Sequence, residues 1–197
     1  INQKCISNEE MLEQIKLNIS DVAMILLSGV NYYTGQLYDI QSIAKLAHEY
    51  QCIIGLDLAH AAGNVPLNLS SWEIDFASWC GYKYLNGGPG APSGAFINEK
   101  YHGKDLTRLE GWWGHDKETR FNPPKSFNPI NGAEAWQLSN PPILSMAALR
   151  SSLELFDKIG MNALRNKSKK LTGYLEYLIK EIDYKNISII TPSMEDE

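Results

Sequence analysis

The sequence predicts an α/β fold in which a mostly parallel sheet is layered between helices. Two observations lead to this prediction. Short apolar runs, typical of buried parallel strands, alternate along the chain with segments in which apolar residues recur at helical spacing. The 197 residues, 44% of them apolar and 21% charged, are also enough to bury one sizeable core. The chain is therefore expected to form one domain.

The first half of the chain supplies most of the predicted elements. Ser7 and Glu10 form a capping-box signature, which places a helix over about 8–18. Apolar residues at i, i+3, i+4 and i+7 from Ile40 predict a second helix over about 39–50. Strands are predicted over 22–27, 52–56, 74–79 and 95–98. The first of these is almost continuously apolar, as expected of a strand buried on both faces.

The second half of the chain is less regular. Residues 101–142 show weak periodicity and carry aromatic residues among glycine, proline and asparagine, an arrangement that is usually functional or covered by a partner. Leucines at helical spacing predict two helices after Pro142, and 187–190 is predicted to be a last short strand.

Charge and cysteine content exclude several classes of function. The net charge of −5 and the dispersed basic residues argue against a nucleic-acid partner. Three cysteines, Cys5, Cys52 and Cys80, show neither a disulfide framework nor metal-ligand spacing, so a reducing cytoplasm is expected. The sequence lacks both a membrane-length apolar run and a signal peptide pattern, so no membrane partner is expected. Because the chain starts at Ile1 and ends in a polar tail, a fragment of a longer protein is predicted.

Candidate chemistry gathers where two predicted strands end. Asp57 closes an apolar strand, His60 follows three residues later, and Tyr82 and Lys83 follow the strand over 74–79. In open α/β sheets, ligands bind at the carboxyl ends of strands. A lysine and a carboxylate at this edge are what a pyridoxal 5′-phosphate (PLP) cofactor requires, since the amine forms a Schiff base and the carboxylate keeps the pyridine nitrogen protonated.

A structural interpretation of the same residues stays open, because an aspartate and a lysine at such spacing occur in many proteins. Asp57 would then cap the next turn, Lys83 would be a solvated surface charge, and His60 a partly buried histidine with its hydrogen bonds satisfied.

Longer strings of residues point to a particular family. Five of them resemble segments of kynureninases, in the same order: SGVNYYTGQLYDI (28–40), GLDLAHAAGNVPL (55–67), DFASWCGYKYLNGGPG (75–90), GWWGH (111–115) and LSNPPIL (138–144). The resemblance covers nearly the whole chain and is weakest over 1–18 and 162–197. It implies that residues 1–197 are the central part of a PLP-binding, transferase-like large domain, without its N-terminal segment and without a C-terminal small domain.

The resemblance also implies roles for single residues. Lys83 would form the Schiff base with PLP, Asp57 would pair with the pyridine nitrogen, and His60 would lie beside the cofactor. Ser28 and Tyr82 would hold the cofactor or its phosphate, and Tyr82 would also relay a proton during carbon–carbon cleavage.

Trp112 and Asn140 match residues that lie near phosphate and substrate, contributed across a homodimer interface. From the residues alone, Trp112 can equally be an aromatic core anchor and Asn140 a turn residue before two prolines. His102 and His115 are interpreted as structural or surface residues, so no metal site is expected.

The implied reaction is PLP-dependent hydrolysis of L-kynurenine or 3-hydroxy-L-kynurenine to L-alanine and anthranilate or 3-hydroxyanthranilate, a step of tryptophan catabolism. Asn140 favours the hydroxylated substrate slightly, since its amide can bond a ring hydroxyl. Without the missing segments the chain alone is expected to be inactive. The alternatives are another PLP enzyme of the same fold, such as a cysteine desulfurase or an aminotransferase, and a non-catalytic interaction module.

Overall fold

The computed structural model describes residues 5–122, 126–182 and 187–193. Four strands form one sheet in the order β1-β2-β3-β4. Their bounds are Met24–Ser28 (β1), Ile53–Asp57 (β2), Phe76–Trp79 (β3) and Gly94–Ile97 (β4). β1, β2 and β3 pair in parallel, whereas β4 runs antiparallel to β3. The predicted mostly parallel sheet is therefore confirmed.

Helices account for most of the remaining regular structure. They span Asn8–Asn18 (α1), Ile40–Glu49 (α2), Ile143–Ile159 (α3) and Met161–Glu181 (α4), with short 3-10 helices at Ile19–Asp21, Glu99–Tyr101 and Ala133–Trp136. Ser7 caps the helix as the capping-box signature predicts, since its Oγ accepts a hydrogen bond of 3.1 Å from the Glu10 N–H. Asp39 begins α2 in the same way by accepting from the Ser42 N–H at 3.1 Å.

The hydrophobic core lies between the sheet and the first two helices. α2 buries five side chains against it: Ile40, Ile43, Ala44, Leu46 and Ala47. Ile54, Leu56 and Ala77 face them from β2 and β3, and the apolar residues of α1 pack at the edge of this core. Helices α1 and α2 therefore cover one face of the sheet and hold the carboxyl ends of its strands in place.

One burial prediction was wrong. β1 is not buried on both faces, because Met24 is 47% exposed and Leu26 64% exposed. β1 is an edge strand, and the side chains that point away from α2 lie open among the described residues. An apolar run therefore identified a strand correctly without showing how many of its faces are covered.

The end of the chain also differs from expectation. Residues 187–190 form no strand, because they have no strand partner among the described residues and Ile187 remains 52% exposed. The two helices predicted after Pro142 are confirmed as α3 and α4, but none of their described residues is buried. Over the described range, no helix combines the length and apolar character needed to cross a membrane.

Candidate active site

Three polar residues lie in one row at or next to the carboxyl ends of the parallel strands. Ser28 is in register with Asp57, and Asp57 is in register with Ser78. Neighbouring residues in register point to the same face of a sheet, so these side chains share the carboxyl edge of one face. Asp57 is exposed, and its Oδ1 accepts a hydrogen bond of 2.8 Å from the Ala59 N–H. Sequence reasoning missed Ser78, because only strand pairing reveals its position beside Asp57.

The structure brings Lys83 and His60 together. Their Nζ and Nε2 atoms lie 3.3 Å apart. His60 follows β2 on a tight turn in which the Leu58 carbonyl accepts from the N–H groups of Ala61 and Ala62, each at 2.9 Å. Two sequence-predicted site residues from different loops thus meet at hydrogen-bond distance.

A cavity of about 720 Å³ opens on this pair. Its lining residues are His60, Gly63, Asn64, Lys83, Tyr84, Asn86, Phe156, Leu164 and Ser168. This volume lies within the range of small-molecule and cofactor sites. Asp57 does not belong to the lining, and it sits three residues before His60 at the end of β2. The carboxylate and the amine are therefore linked through the His60 turn, which follows Asp57 in the chain and contacts Lys83 Nζ.

The tyrosines that flank Lys83 differ in placement. Tyr82 is 54% exposed, and its ring centre lies 5.9 Å from Lys83 Nζ without lining the cavity. Tyr84 does line it, and its ring meets the His60 ring edge-on at 6.1 Å between centroids. Tyr84 was not among the predicted site residues. The sequence placed a tyrosine on each side of Lys83, but it did not show which of the two rings faces the cavity.

A tight loop holds Lys83 in position. The Gly87 N–H donates to the Gly81 carbonyl at 2.9 Å and closes the loop around the lysine. A Cβ atom at Gly87 would lie 2.7 Å from Ala91 Cβ, closer than real contacts allow, so only glycine fits there.

Trp112 and Asn140 lie apart from this cavity. Trp112 is 44% exposed and contacts Trp113 edge-on at 5.0 Å between ring centroids. It lines a separate cavity of about 380 Å³ with His115 and Arg120. Asn140 is exposed, and its Oδ1 accepts from Ser139 Oγ at 3.2 Å. Within one chain, neither residue contributes to the lining around Lys83.

His115 is held by hydrogen bonds. Its Nδ1 accepts from the Asn128 N–H at 3.1 Å, so the N–H of the neutral ring is on Nε2, which donates to Thr119 Oγ1 at 3.1 Å. Thr119 in turn donates to Asp116 Oδ2 at 2.8 Å, and this bond holds the pKa of Asp116 below its ordinary value. Among the described residues, no group of three or more His, Cys, Asp or Glu side chains is placed to hold a metal ion.

A second carboxylate, missed in the sequence, lies just before β3. Asp75 is 2% exposed and accepts hydrogen bonds from the Ile54 N–H at 2.7 Å and from Tyr101 Oη at 2.7 Å. His48 Nε2 and Lys100 Nζ approach it at 3.2 and 2.5 Å. Burial favours the neutral acid, but these donors outweigh it and hold the pKa of Asp75 below 3.8. Burial and the neighbouring carboxylate raise the pKa of Tyr101 to about 12.

Comparison with solved structures defines the class of fold. Cysteine desulfurase CsdA (S-sulfonic acid) from Escherichia coli superposes with a TM-score of 0.70 at 16% identity, over 92% of this chain and 43% of that one. A C-DES mutant with glycine covalently linked to its PLP cofactor gives a TM-score of 0.71 at 16% identity, over 92% and 47%. At such identities the likeness establishes the fold alone, which is an α/β domain. In this chain, Lys83 follows a strand at the carboxyl edge of the sheet.

The chain belongs to the aminotransferase class-V family, whose model matches residues 3–197. Kynureninase of Myxococcus xanthus is 53% identical over 191 residues, which cover 96% of this chain and 45% of that protein. Other curated bacterial kynureninases match at 45% to 51% identity. The predicted resemblance to kynureninases is therefore confirmed. The chain spans about half the length of the curated relatives it matches.

Proposed function

We propose that this chain is part of a PLP-dependent enzyme that hydrolyses L-kynurenine or 3-hydroxy-L-kynurenine to L-alanine and anthranilate or 3-hydroxyanthranilate. The observation that carries the proposal is the Lys83 amine, which opens on a cavity of cofactor size in a chain about half identical to curated kynureninases. Such a reaction is a step of tryptophan catabolism and supplies precursors for NAD biosynthesis. A cytoplasmic location agrees with the free state of the three cysteines.

The residues at the carboxyl edge fit a PLP cofactor. Lys83 supplies the amine for covalent attachment, and the cavity beside it has room for a vitamin B6 ring. Asp57 stands at the end of β2 with one carboxylate oxygen bound to a backbone N–H, which leaves the other to pair with a ring nitrogen. Ser28 and Ser78 lie on either side of it in the same row. When bound, the cofactor supplies an electron sink for the bonds at the substrate α-carbon.

The chain's own residues then divide the work. Lys83 removes and returns the proton at the substrate α-carbon, because its amine is the basic group that faces the cavity together with His60. Asp57 would pair with the ring nitrogen of a bound cofactor and favour its protonated form. Tyr82, whose ring centre lies 5.9 Å from Lys83 Nζ, is assigned the role of holding the cofactor or its phosphate and of passing a proton during carbon–carbon cleavage.

Trp112 and Asn140 enter the proposal through a second copy of the chain. Both side chains are exposed and neither lines the Lys83 cavity, as expected if they complete the site of the other subunit. Trp112 and the 79% exposed Phe121 lie 5.8 Å apart and present an aromatic surface of the kind that subunit interfaces favour. We therefore include a homodimer with shared active sites, in which Trp112 meets the phosphate and Asn140 the substrate.

A cysteine desulfurase is the nearest alternative, because solved desulfurases share the fold. That activity needs a reactive, accessible cysteine. Cys52 is 2% exposed within the core, and Cys80 is half-buried with its Sγ directed at the Ala59 carbonyl. Cys5, near the start of the chain, is half-buried with its Sγ directed at the Ile190 carbonyl, and none of the three cysteines lines the cavity around Lys83. The kynurenine-hydrolysing function is therefore the better supported one.

The test uses the full-length protein and a matched pair of variants, Lys83→Ala and Lys45→Ala. Lys45 lies exposed on α2 outside the cavity, so its loss controls for a missing surface charge. Wild type and Lys45→Ala are expected to show the visible absorbance of lysine-bound PLP and to release alanine and anthranilate from kynurenine. Lys83→Ala is expected to show neither.

The same assays separate the alternatives. Release of sulfide from cysteine in place of anthranilate would support a desulfurase. Absence of both cofactor absorbance and turnover in the full-length protein would support a non-catalytic interaction module. A protein limited to residues 1–197 is expected to be inactive, and turnover by it would contradict that expectation.

A further inference from the structure

We propose that Arg120 is a positioning residue, which holds Trp112 in the orientation that meets the cofactor phosphate in the site of the other subunit. The inference rests on the proposed function and deepens it, because it assigns a second residue to the part of the site around Trp112. Arg120 and Trp112 both line the cavity of about 380 Å³. Trp112 is 44% exposed, and an exposed side chain keeps several rotamers open unless its neighbours restrict it.

The Arg120 guanidinium binds two carbonyls at the end of a tight turn. Its Nη2 donates to the Trp113 carbonyl at 2.9 Å and to the His115 carbonyl at 3.0 Å. The residue between these two carbonyls is Gly114, whose N–H donates to the Gly111 carbonyl at 3.0 Å and closes the turn. Because the guanidinium is planar and rigid, it fixes the positions of both carbonyls relative to each other. Arg120 therefore holds the backbone of this turn from outside.

The guanidinium also contacts the ring against which Trp112 packs. Arg120 Cζ lies 4.5 Å from the centre of the Trp113 ring, within the range of a cation–π contact. The Trp112 ring meets the Trp113 ring almost at right angles, with 5.0 Å between centroids and an interplanar angle of 83°. On its other contact, Trp112 lies 5.8 Å from the ring of Phe121, the residue after Arg120. Arg120 and its neighbour in the chain thus restrict the Trp112 ring through two aromatic contacts.

The burial of Arg120 indicates that its contacts with this turn are strong. Its Nε is buried, and among the described residues this N–H has no hydrogen-bond acceptor. A buried donor without an acceptor costs free energy, so other contacts of the side chain must offset that cost. Those described are the two carbonyl bonds and the Trp113 ring. All of them lie on the segment that directly follows Trp112.

The experiment measures the affinity of the full-length protein for PLP in a double-mutant cycle. PLP is titrated into PLP-free protein, and the visible absorbance of lysine-bound PLP gives the Kd. Trp112→Phe keeps a ring but loses the indole N–H, and it is expected to raise the Kd about tenfold, as for one hydrogen bond to a charged group. Arg120→Met is expected to raise the Kd about fivefold alone but less than about twofold in the Trp112→Phe background, because both changes remove the same contact.

Arg108 provides a matched control. Its Cζ lies 4.2 Å from the centre of the Trp136 ring, and its side chain donates to the carbonyls of Leu106 and Lys104. Arg108→Met therefore removes a cation–π contact and two carbonyl bonds, as Arg120→Met does, but at a residue that does not line the cavity beside Trp112. Its Kd for PLP is expected to equal that of wild type.

A second readout needs no cofactor. Two tryptophan rings in contact give an exciton signal in circular dichroism, and PLP-free Trp112→Phe shows the spectrum without this pair. The signal is expected to be weaker in Arg120→Met and unchanged in Arg108→Met. Arg120→Lys, which keeps the charge but not the planar group, is the second variant if Arg120→Met does not fold, and it is expected to show the same changes to a smaller extent.

Three results would overturn the inference while leaving the proposed function intact. They are an unchanged Kd in Arg120→Met, an unchanged exciton signal in that variant, and an equal effect of Arg120→Met on the Kd with and without Trp112→Phe. The third result would mean that Arg120 acts independently of Trp112, either on the phosphate directly or on the fold as a whole. Failure of the wild-type protein to bind PLP would instead overturn the proposed function itself.

Discussion

Two carboxylates at opposite ends of the sheet show how the same side chain serves different purposes. Asp57 stands at the carboxyl end of β2, is exposed, and has one hydrogen bond of 2.8 Å to the Ala59 N–H. Asp75 stands just before β3, is 2% exposed, and is surrounded by donors from β2, α2 and the 3-10 helix at Glu99–Tyr101. Asp57 therefore has oxygen lone pairs left to bind a ligand, whereas the oxygens of Asp75 are already bound to donors from three elements of the fold.

The difference follows from the direction of the strands. Loops at the carboxyl edge of a parallel sheet lie where no following strand closes over them, so polar groups there stay accessible. Asp75 precedes its strand instead. Its backbone N–H donates to the Ile54 carbonyl, so the residue is bound to β2 at the amino end of the sheet. A buried carboxylate is tolerated only when donors surround it. A carboxylate whose oxygens all have donors is therefore interpreted as structural, and one with free acceptor capacity as a candidate site residue.

The sharpest test of this contrast is Asp57→Asn. The amide can still accept from the Ala59 N–H, so the fold is expected to be unaffected and the melting temperature unchanged. Loss of the negative charge is expected to lower kcat/KM for kynurenine about 10³-fold, the order that one positioned polar group contributes to catalysis. Steady-state kinetics with calorimetry of the same preparation checks both parts. Activity within threefold of wild type would remove Asp57 from the proposed site.

Asp75→Asn is expected to show the opposite pattern. It leaves Lys100 and His48 without their anion and lowers the free energy of unfolding by about 2 kcal/mol. That is less than the 3–5 kcal/mol of a fully buried pair, because the side chains of Lys100 and His48 retain access to solvent. Urea unfolding of the full-length protein measures the loss. kcat/KM of the folded fraction should match wild type, and a selective loss of activity with normal stability would contradict the structural role.

The pH dependence sharpens the comparison further. Because the pKa of Asp75 is held below 3.8 in the folded protein, its contribution is fully present above that ordinary value and is lost as the pH falls through the lower folded value. The gap in stability between wild type and Asp75→Asn is therefore expected to be constant from about pH 5 upward and to shrink toward pH 2. Denaturation curves at a series of pH values test this. A gap that widens on acidification would show that the sign is wrong.

The sequence allowed the strands and helices to be predicted because their signals are local. Ser7, Glu10 and the apolar spacing of α2 contain all the information that their helices need. Burial could not be predicted in the same way. Leu26 lies in an apolar run and is 64% exposed, because among the described residues no element covers the face of the strand to which it points. Residues 187–190 have a strand-like composition but no strand to pair with among the described residues.

The site residues that could be predicted are those that follow the carboxyl ends of neighbouring strands, because these ends lie at the same edge of the sheet. Lys83 and His60 were predicted from their positions after strands, and they meet at 3.3 Å. Ser78 and Tyr84 were missed because their placement depends on register and on the path of a loop. The donor set of Asp75 was also invisible, since it combines residues 21 to 27 positions apart.

The smallest expected effect concerns Asn140, which resembles Asp57 in being exposed and in accepting a local hydrogen bond. If its amide bonds the ring hydroxyl of 3-hydroxykynurenine across the dimer interface, Asn140→Ala removes one hydrogen bond worth about 1 kcal/mol. The ratio of kcat/KM for 3-hydroxykynurenine to that for kynurenine is then expected to fall about fivefold, with little change in the value for kynurenine. Ser139→Ala is the matched control, because it removes the neighbour of Asn140 and leaves the amide in place. An unchanged ratio in Asn140→Ala would show that the Asn140 side chain does not contribute to substrate preference. Asn140 would then be a turn residue before Pro141.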